Sequence, residues 1–271
     1  MTGPLGPDYD ARSAAVLSSE VFPQYLALFG AMALDRLARV DLRSGEWLAA
    51  GPLATMLADR MLGLASDVSL HLYEPSAALL VRHASPKVRA AALGALPLPE
   101  RDETFAHAIV VHPISNAKDR LRLLSDVHRT TRRGGSFVFA APLRGSYPEI
   151  ADMMREYALK HDKPKLGEAV ELIGQGRPTP ETLGNDLETV GFTDVEIDVS
   201  LVSIPFSDGR RFAESALFQA VIAPQFATSL DAPIPDAPEA LDYVRHAIAK
   251  YWSDGQFDLT VNLGCATARR G

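Results

Sequence analysis

Residues 106–141 read AHAIVVHPISNAKDRLRLLSDVHRTTRRGGSFVFAA, and their pattern decides the fold. Ala106 to Val111 is an apolar run broken only by His107. A helical stretch follows from Ala117 to about Arg132, and Ser136 to Ala141 is a second apolar run. Gly134-Gly135 reads as the helix stop, because glycine enters the left-handed region without a Cβ clash. Two strands that read as continuous hydrophobic runs around a helix imply parallel neighbours in a sheet covered on both faces.

The same alternation extends upstream. Trp47-Leu48-Ala49-Ala50 reads as a short buried strand, followed by a helix from Pro52 to about Leu64. Val68 to Tyr73 is a second strand, ending at Glu74-Pro75-Ser76, with Ser76 the N-cap of a helix from Ala77 to His83. Val88 to Leu93 is a short third strand. Ahead of these, apolar patterning begins with Ala14, Ala15, Val16 and Leu17 and runs through Val21 to Val40; Tyr25, Leu26, Leu28, Phe29, Met32, Leu34, Leu37 and Val40 recur mostly at helical steps, with Pro23 early in the helix, where its missing N–H costs little. Downstream come helices over Glu149–Leu159 and Thr179–Val190, an alternating strand over Asp194–Ile204, and a helix near Arg211–Val221. A helix from Pro238 to Trp252 and a last strand from Gln256 to Ala268 complete the chain.

Composition narrows the classes. The 271 residues carry 27 Lys and Arg against 34 Asp and Glu, a net charge of −7, with 47% hydrophobic and 23% charged residues. That is ordinary globular composition, and the acidic balance argues against a nucleic-acid backbone as partner. A single cysteine, Cys265, excludes an internal disulfide and a cysteine-rich metal site. Met1 to Asp10 lacks the basic and apolar regions of a secretory leader, and no uncharged apolar run reaches the ~18 residues of a membrane span. A cytoplasmic protein is expected, with no membrane partner and no metal.

Several segments, in order, resemble the class I S-adenosylmethionine-dependent methyltransferases. His71-Leu72-Tyr73-Glu74-Pro75-Ser76 is similar to that family's second strand and its terminal acid. Leu96-Pro97-Leu98-Pro99 to Phe105 resembles the LPFPDxSFD stretch, and Asp126-Val127-His128-Arg129 to Gly135 resembles ExxRVLxPGG. Glu181 to Phe192 and Phe257-Asp258-Leu259-Thr260 are similar to the last helix and closing strands. The resemblance implies an α/β fold: a Rossmann-like seven-stranded mixed sheet with a helical N-terminal segment and helical insertions. It assigns residues 1–44 to that segment and 45–271 to the Rossmann-like domain, forming a single unit. It implies Gly51 and Glu74 as cofactor-binding residues, Glu74 accepting from both ribose hydroxyls, and His112, after the fourth strand, as a candidate base. Asn116 and Asp119 are candidates to line the same mouth, Asn116 also being a natural N-cap.

The cofactor motif departs from the family. In place of DxGxGxG the chain has Glu46-Trp47-Leu48-Ala49-Ala50-Gly51-Pro52-Leu53, where only Gly51 matches. Asp41 to Gly45 offers a second alignment, but it leaves a shorter first strand. Ala90 to Ala95 lacks the acid for the adenine amino group, and Ala106 replaces the usual aspartate. Each hydrogen-bond partner lost to a buried ligand costs about 1–3 kcal/mol. Weak or lost S-adenosylmethionine binding is therefore expected, and with it a degenerate methyltransferase serving as an interaction or regulatory module. The alternatives are an active methyltransferase on a small molecule and a sensor of another metabolite. The apolar N-terminal helix is a candidate lid, or a surface for a protein partner or self-association, although packing on its own sheet is the simplest role. Arg129, Arg132, Arg133 and His128 read as cations offsetting a helix C-terminus, and Lys160 to Lys165 as a charged loop. Trp47, Tyr251 and Trp252 read as packing residues, and Cys265 as buried and inert.

Overall fold

The computed structural model describes residues 2–81, 83, 85–113, 117–229 and 232–271. Its seven-stranded sheet is built from β1 (Gly45–Ala50), β2 (Val68–Glu74), β3 (Val88–Ala92), β4 (Phe105–Val111), β5 (Thr131–Pro142), β6 (Phe192–Phe206) and β7 (Phe257–Arg270). The strand order is β3-β2-β1-β4-β5-β7-β6. The pairs β3–β2, β2–β1, β1–β4 and β4–β5 are parallel. Arg270 Nη1 donates to the Thr131 carbonyl at the start of β5, while the Leu143 N–H just beyond its end donates to the Asn262 carbonyl, so β7 runs antiparallel to β5. The sheet is mixed, as expected.

The helices are α1 (Ala11–Val16), α2 (Ala27–Leu37), α3 (Ala58–Leu62), α4 (Ala117–Thr130), α5 (Pro148–Lys160), α6 (Pro164–Gly176), α7 (Pro180–Thr189), α8 (Gly209–Ala213), α9 (Ala223–Ala227) and α10 (Ala237–Tyr251). Contacts gather into two units, one of residues 1–141, 179–199 and 264–271, the other of 142–178 and 200–263.

In the first unit all seven residues of β4 are buried. The one imidazole among them is accommodated because His107 Nε2 accepts from the Arg43 N–H at 2.8 Å, while burial pushes its pKa down to about 4. Gly134-Gly135 does not stop α4. The helix ends at Thr130 and β5 begins at Thr131; the Arg129 carbonyl accepts from the Arg270 guanidinium and the Glu103 N–H, and the Thr131 carbonyl from Arg270. Gly135 is needed for close approach instead, since a Cβ there would lie 2.7 Å from the Ala106 carbonyl oxygen.

The N-terminal helix starts earlier than its apolar spacing suggests, because Asp10 caps it by accepting from the Ser13 N–H at 2.7 Å. Pro23 then falls mid-helix, and the chain accommodates it in a π-helical stretch, Leu17–Leu26, between α1 and α2. Two expected helices are shorter. After β1 there is a 3-10 turn, Ala54–Leu57, and then α3; after β2 there is only the turn Ala77–Leu79, because Ser76 makes no capping bond and Leu80 is already extended.

The second unit centres on Phe212, whose ring meets those of Phe206, Phe218 and Phe257, with Trp252 against Phe257 at 5.4 Å. The charged stretch Lys160–Lys165 is a turn into α6, with Pro164 in that helix's first turn, where it forfeits no internal bond.

Candidate functional site

In an open α/β sheet ligands bind at the carboxyl ends of the strands, where the strand order reverses. Here that place lies between β1 and β4. Gly51 directly follows β1, Glu74 ends β2 and His112 directly follows β4, so the fold brings the three candidate residues to one end of the sheet.

Glu74 is fully buried, and its carboxylate is already occupied. Oε2 accepts from the Leu53 N–H at 2.6 Å, and Oε1 accepts from the Thr55 N–H and the Thr55 hydroxyl, both at 2.7 Å. Burial pushes its pKa up to about 8, against the downward pull of these three bonds. The loop after β1 is thus folded down onto the acid. Its geometry explains how. Gly51, at φ +135°, donates its N–H to the Tyr73 carbonyl, and a Cβ on it would lie 1.9 Å from the Val111 carbonyl oxygen, so Gly51 lets two strand ends meet. Leu53 is held at φ +62°, a left-handed conformation that costs a residue with a Cβ on the order of 1–3 kcal/mol, and its side chain is buried.

His112 is buried too, at φ +48°, with its N–H donated to the Ala140 carbonyl at 2.6 Å. Its Nε2 is hydrogen-bonded to the Tyr25 hydroxyl at 2.5 Å, and the Tyr25 and Phe29 rings meet it edge-on at 5.1 and 4.7 Å. The π-helical stretch and α2 therefore lie against the end of β4. Their apolar residues Leu17, Val21, Tyr25, Phe29, Ala33, Leu34 and Leu37 are buried in the same unit, while Phe22, Leu28 and Met32 are partly exposed.

Sequence reasoning missed Leu53, Thr55 and Tyr25. Thr55 and Glu74 are 19 residues apart, and Tyr25 and His112 are 87 apart, with no spacing signal to join either pair. Asn116 lies outside the described residues; Asp119 faces Arg122 at 3.5 Å on α4. His128 and Arg129 of the basic cluster lie in the last turn of α4, and Arg129 has a further task. Arg129 reaches the carbonyls of Leu98 and Glu100 and the carboxylates of Asp102 and Asp126, while Asp126 accepts from the Leu98 N–H. The AspxxArg pair thus ties down the loop between β3 and β4. Cys265 is buried, with its thiol pushed up to about 12.

No family model and no curated protein matches the chain. Solved structures do. A phosphoethanolamine N-methyltransferase from Haemonchus contortus, in complex with phosphomonomethylethanolamine and S-adenosylhomocysteine, aligns with TM-score 0.56 at 14% identity, over 97% of this chain and 58% of that one. A Haloferax volcanii methyltransferase in complex with a methyltransferase activator protein aligns at 0.51 and 14% identity, over 98% and 99%. A methyltransferase-fold protein from Bacillus halodurans aligns at 0.52 and 12% identity, over 88% and 96%. The fold is that of the class I methyltransferases. This chain spans little more than half the length of the Haemonchus enzyme, and at these identities the likeness speaks for the methyltransferase fold alone. Among the described residues no helix is long and apolar enough to cross a membrane, and no group of three or more His, Cys, Asp or Glu could hold a metal ion.

Proposed function

We propose that this chain is a methyltransferase-fold protein that has given up its cofactor site and acts in the cytoplasm as an interaction or regulatory module. One observation carries the reading: both oxygens of Glu74, the acid positioned for a ribose diol, are engaged by the loop that would have to cradle the ligand. In this arrangement the residues present do not fit S-adenosylmethionine. Both oxygens of the acid are tied to the loop, Oε1 by two bonds and Oε2 by one, Leu53 stands buried in a turn the family builds from glycines, and His112 is covered by Tyr25 and Phe29. A calorimetric titration with S-adenosylmethionine and S-adenosylhomocysteine tests the proposal. No heat of binding up to about 0.1 mM is expected, and micromolar affinity for either ends it.

The second reading is an active methyltransferase on a small molecule, with Gly51 and Glu74 holding the cofactor. It is favoured by the location of both residues at the switch point and by the cofactor product bound to the Haemonchus enzyme. On that reading Glu74→Ala abolishes a ligand-induced rise in melting temperature that the unsubstituted protein shows.

A further inference from the structure

β3 forms one end of the sheet, and among the described residues its only strand neighbour is β2. Its hydrogen-bonding parity can be worked out. The Leu70 N–H donates to the Lys87 carbonyl at 2.7 Å and the Leu93 N–H to the Glu74 carbonyl at 2.8 Å, with Val88, Ala90 and Ala92 directly beside Leu70, Leu72 and Glu74. In a parallel ladder a residue bonds to the two neighbours of its partner. The backbone groups of Lys87, Arg89, Ala91 and Leu93 therefore turn toward β2, and those of Val88, Ala90 and Ala92 turn outward. Both faces of the strand are also open: Arg89, Ala90, Ala91 and Ala92 are exposed, and residues 93–104 form no helix to cover them. An uncovered edge of this kind is a template for another strand.

We propose that β3 is a self-association edge, where two copies pair antiparallel about Ala90 and continue the sheet from one chain into the next. The occupant is argued from register and charge. Pairing about Ala90 sets Val88 against Ala92 of the other copy, so both groups of Ala90, the Ala92 N–H and the Val88 carbonyl find partners across the axis, while the Val88 N–H already donates to the Ser85 carbonyl at 3.2 Å within its own chain. Pro86, the next outward position, has no N–H and ends the ladder. Arg89, the only charged residue of β3, falls opposite Ala91, so no like charges meet directly. Arg89 and Ala91 share a face with His71 and Tyr73, beside which they lie. On that face the Tyr73 hydroxyl donates to Glu100 Oε1, while Glu100 Oε2 has no partner among the described residues. The Arg89 of one copy, crossing Ala91 of the other, thus approaches an acid. A five-residue pairing buries less than the ~1,200 Å² of a stable interface, so the dimer is weak and concentration-dependent. None of this depends on whether the crevice takes a ligand.

Sedimentation equilibrium from about 10 µM to about 1 mM tests it. A monomer–dimer equilibrium is expected. Ala90→Pro removes an outward N–H while sparing every bond to β2, and is expected to weaken dimerisation at least tenfold with unchanged circular dichroism. Arg89→Glu is expected to weaken it about threefold to thirtyfold, and adding Ala91→Arg to restore it, because opposite charges then face each other across the axis; this rescue decides the matter should Ala90→Pro misfold. A chain monomeric at about 1 mM, a dimer indifferent to these substitutions, or assembly that grows past the dimer overturns the proposal.

Discussion

Glu74→Ala separates a structural acid from a ligand-binding one. In the structure the substitution strands two buried amide donors, Leu53 N–H and Thr55 N–H, while the Thr55 hydroxyl retains a second acceptor in the Leu79 carbonyl at 3.4 Å. A buried donor left without its partner costs about 1–3 kcal/mol. Removing a buried carboxyl relieves part of its own desolvation, so the lower half of that range applies, about 1.5 kcal/mol for each amide and about 3 kcal/mol in all. For a chain of this size each kcal/mol moves the melting temperature by roughly 2–4 °C, which gives a fall of about 6–12 °C. Glu74→Gln keeps an acceptor oxygen and should fall by less than half as much. Thermal unfolding followed by circular dichroism, with no ligand added, is the assay. A melting temperature within about 1 °C of the unsubstituted protein would refute the idea that Glu74 closes the loop, because a carboxylate reserved for a ligand contributes little to an empty fold.

Other consequences follow from the same geometry. The Glu74 carboxyl titrates near 8 when folded against an ordinary 4.5, so the folded state holds its proton more tightly, and the stability this supplies is full below about pH 4.5 and lost as pH rises through about 8. Urea unfolding between about pH 5 and 9 should show that decline, and Glu74→Gln should flatten it. Gly51→Ala drives a Cβ to 1.9 Å from the Val111 carbonyl oxygen in a backbone conformation at φ +135°, so the variant should fail to accumulate as folded protein, and soluble expression reads this directly. Arg129→Ala frees the loop between β3 and β4; faster proteolytic cleavage within residues 96–104 is expected, with a stability loss of about 2 kcal/mol.

The sheet was legible because its strands are apolar runs whose pattern does not depend on distant residues: Val68 to Tyr73 and Ala106 to Val111 were read within a residue of their observed ends. What sequence hid was non-local. Gly134-Gly135 looks like a helix stop, yet the helix ends at Thr130, where its last carbonyls are met by Arg270 from the far end of the chain and by the Glu103 N–H. Ser76 looks like a cap but makes no capping bond, and the expected helix shrinks to one turn. At the crevice the missing glycines were visible, and Glu74 was singled out, but its partners were not. A loop amide carries no sequence signature, so nothing in Leu53 or Thr55 announces that they take up the acid. The contact of the N-terminal helix with β4 has the same character, since Tyr25 and His112 lie 87 residues apart.

The closed loop also sets a scale for any ligand. To present Glu74 to a diol the loop must surrender the bonds from Leu53 and Thr55, the same about 3 kcal/mol that Glu74→Ala forfeits. A competent state lying that far above the closed one is populated at roughly one part in 150, and the apparent affinity of a ligand that needs it falls by the same factor. A nucleoside ligand with an intrinsic dissociation constant of about 1 µM would then bind with about 0.2 mM. Moving Tyr25 and Phe29 off His112 weakens it further, because both rings are buried against that imidazole. Closure and ligand affinity are thus one quantity measured from two sides: the more Glu74→Ala destabilises the empty protein, the more weakly any diol should bind the intact one.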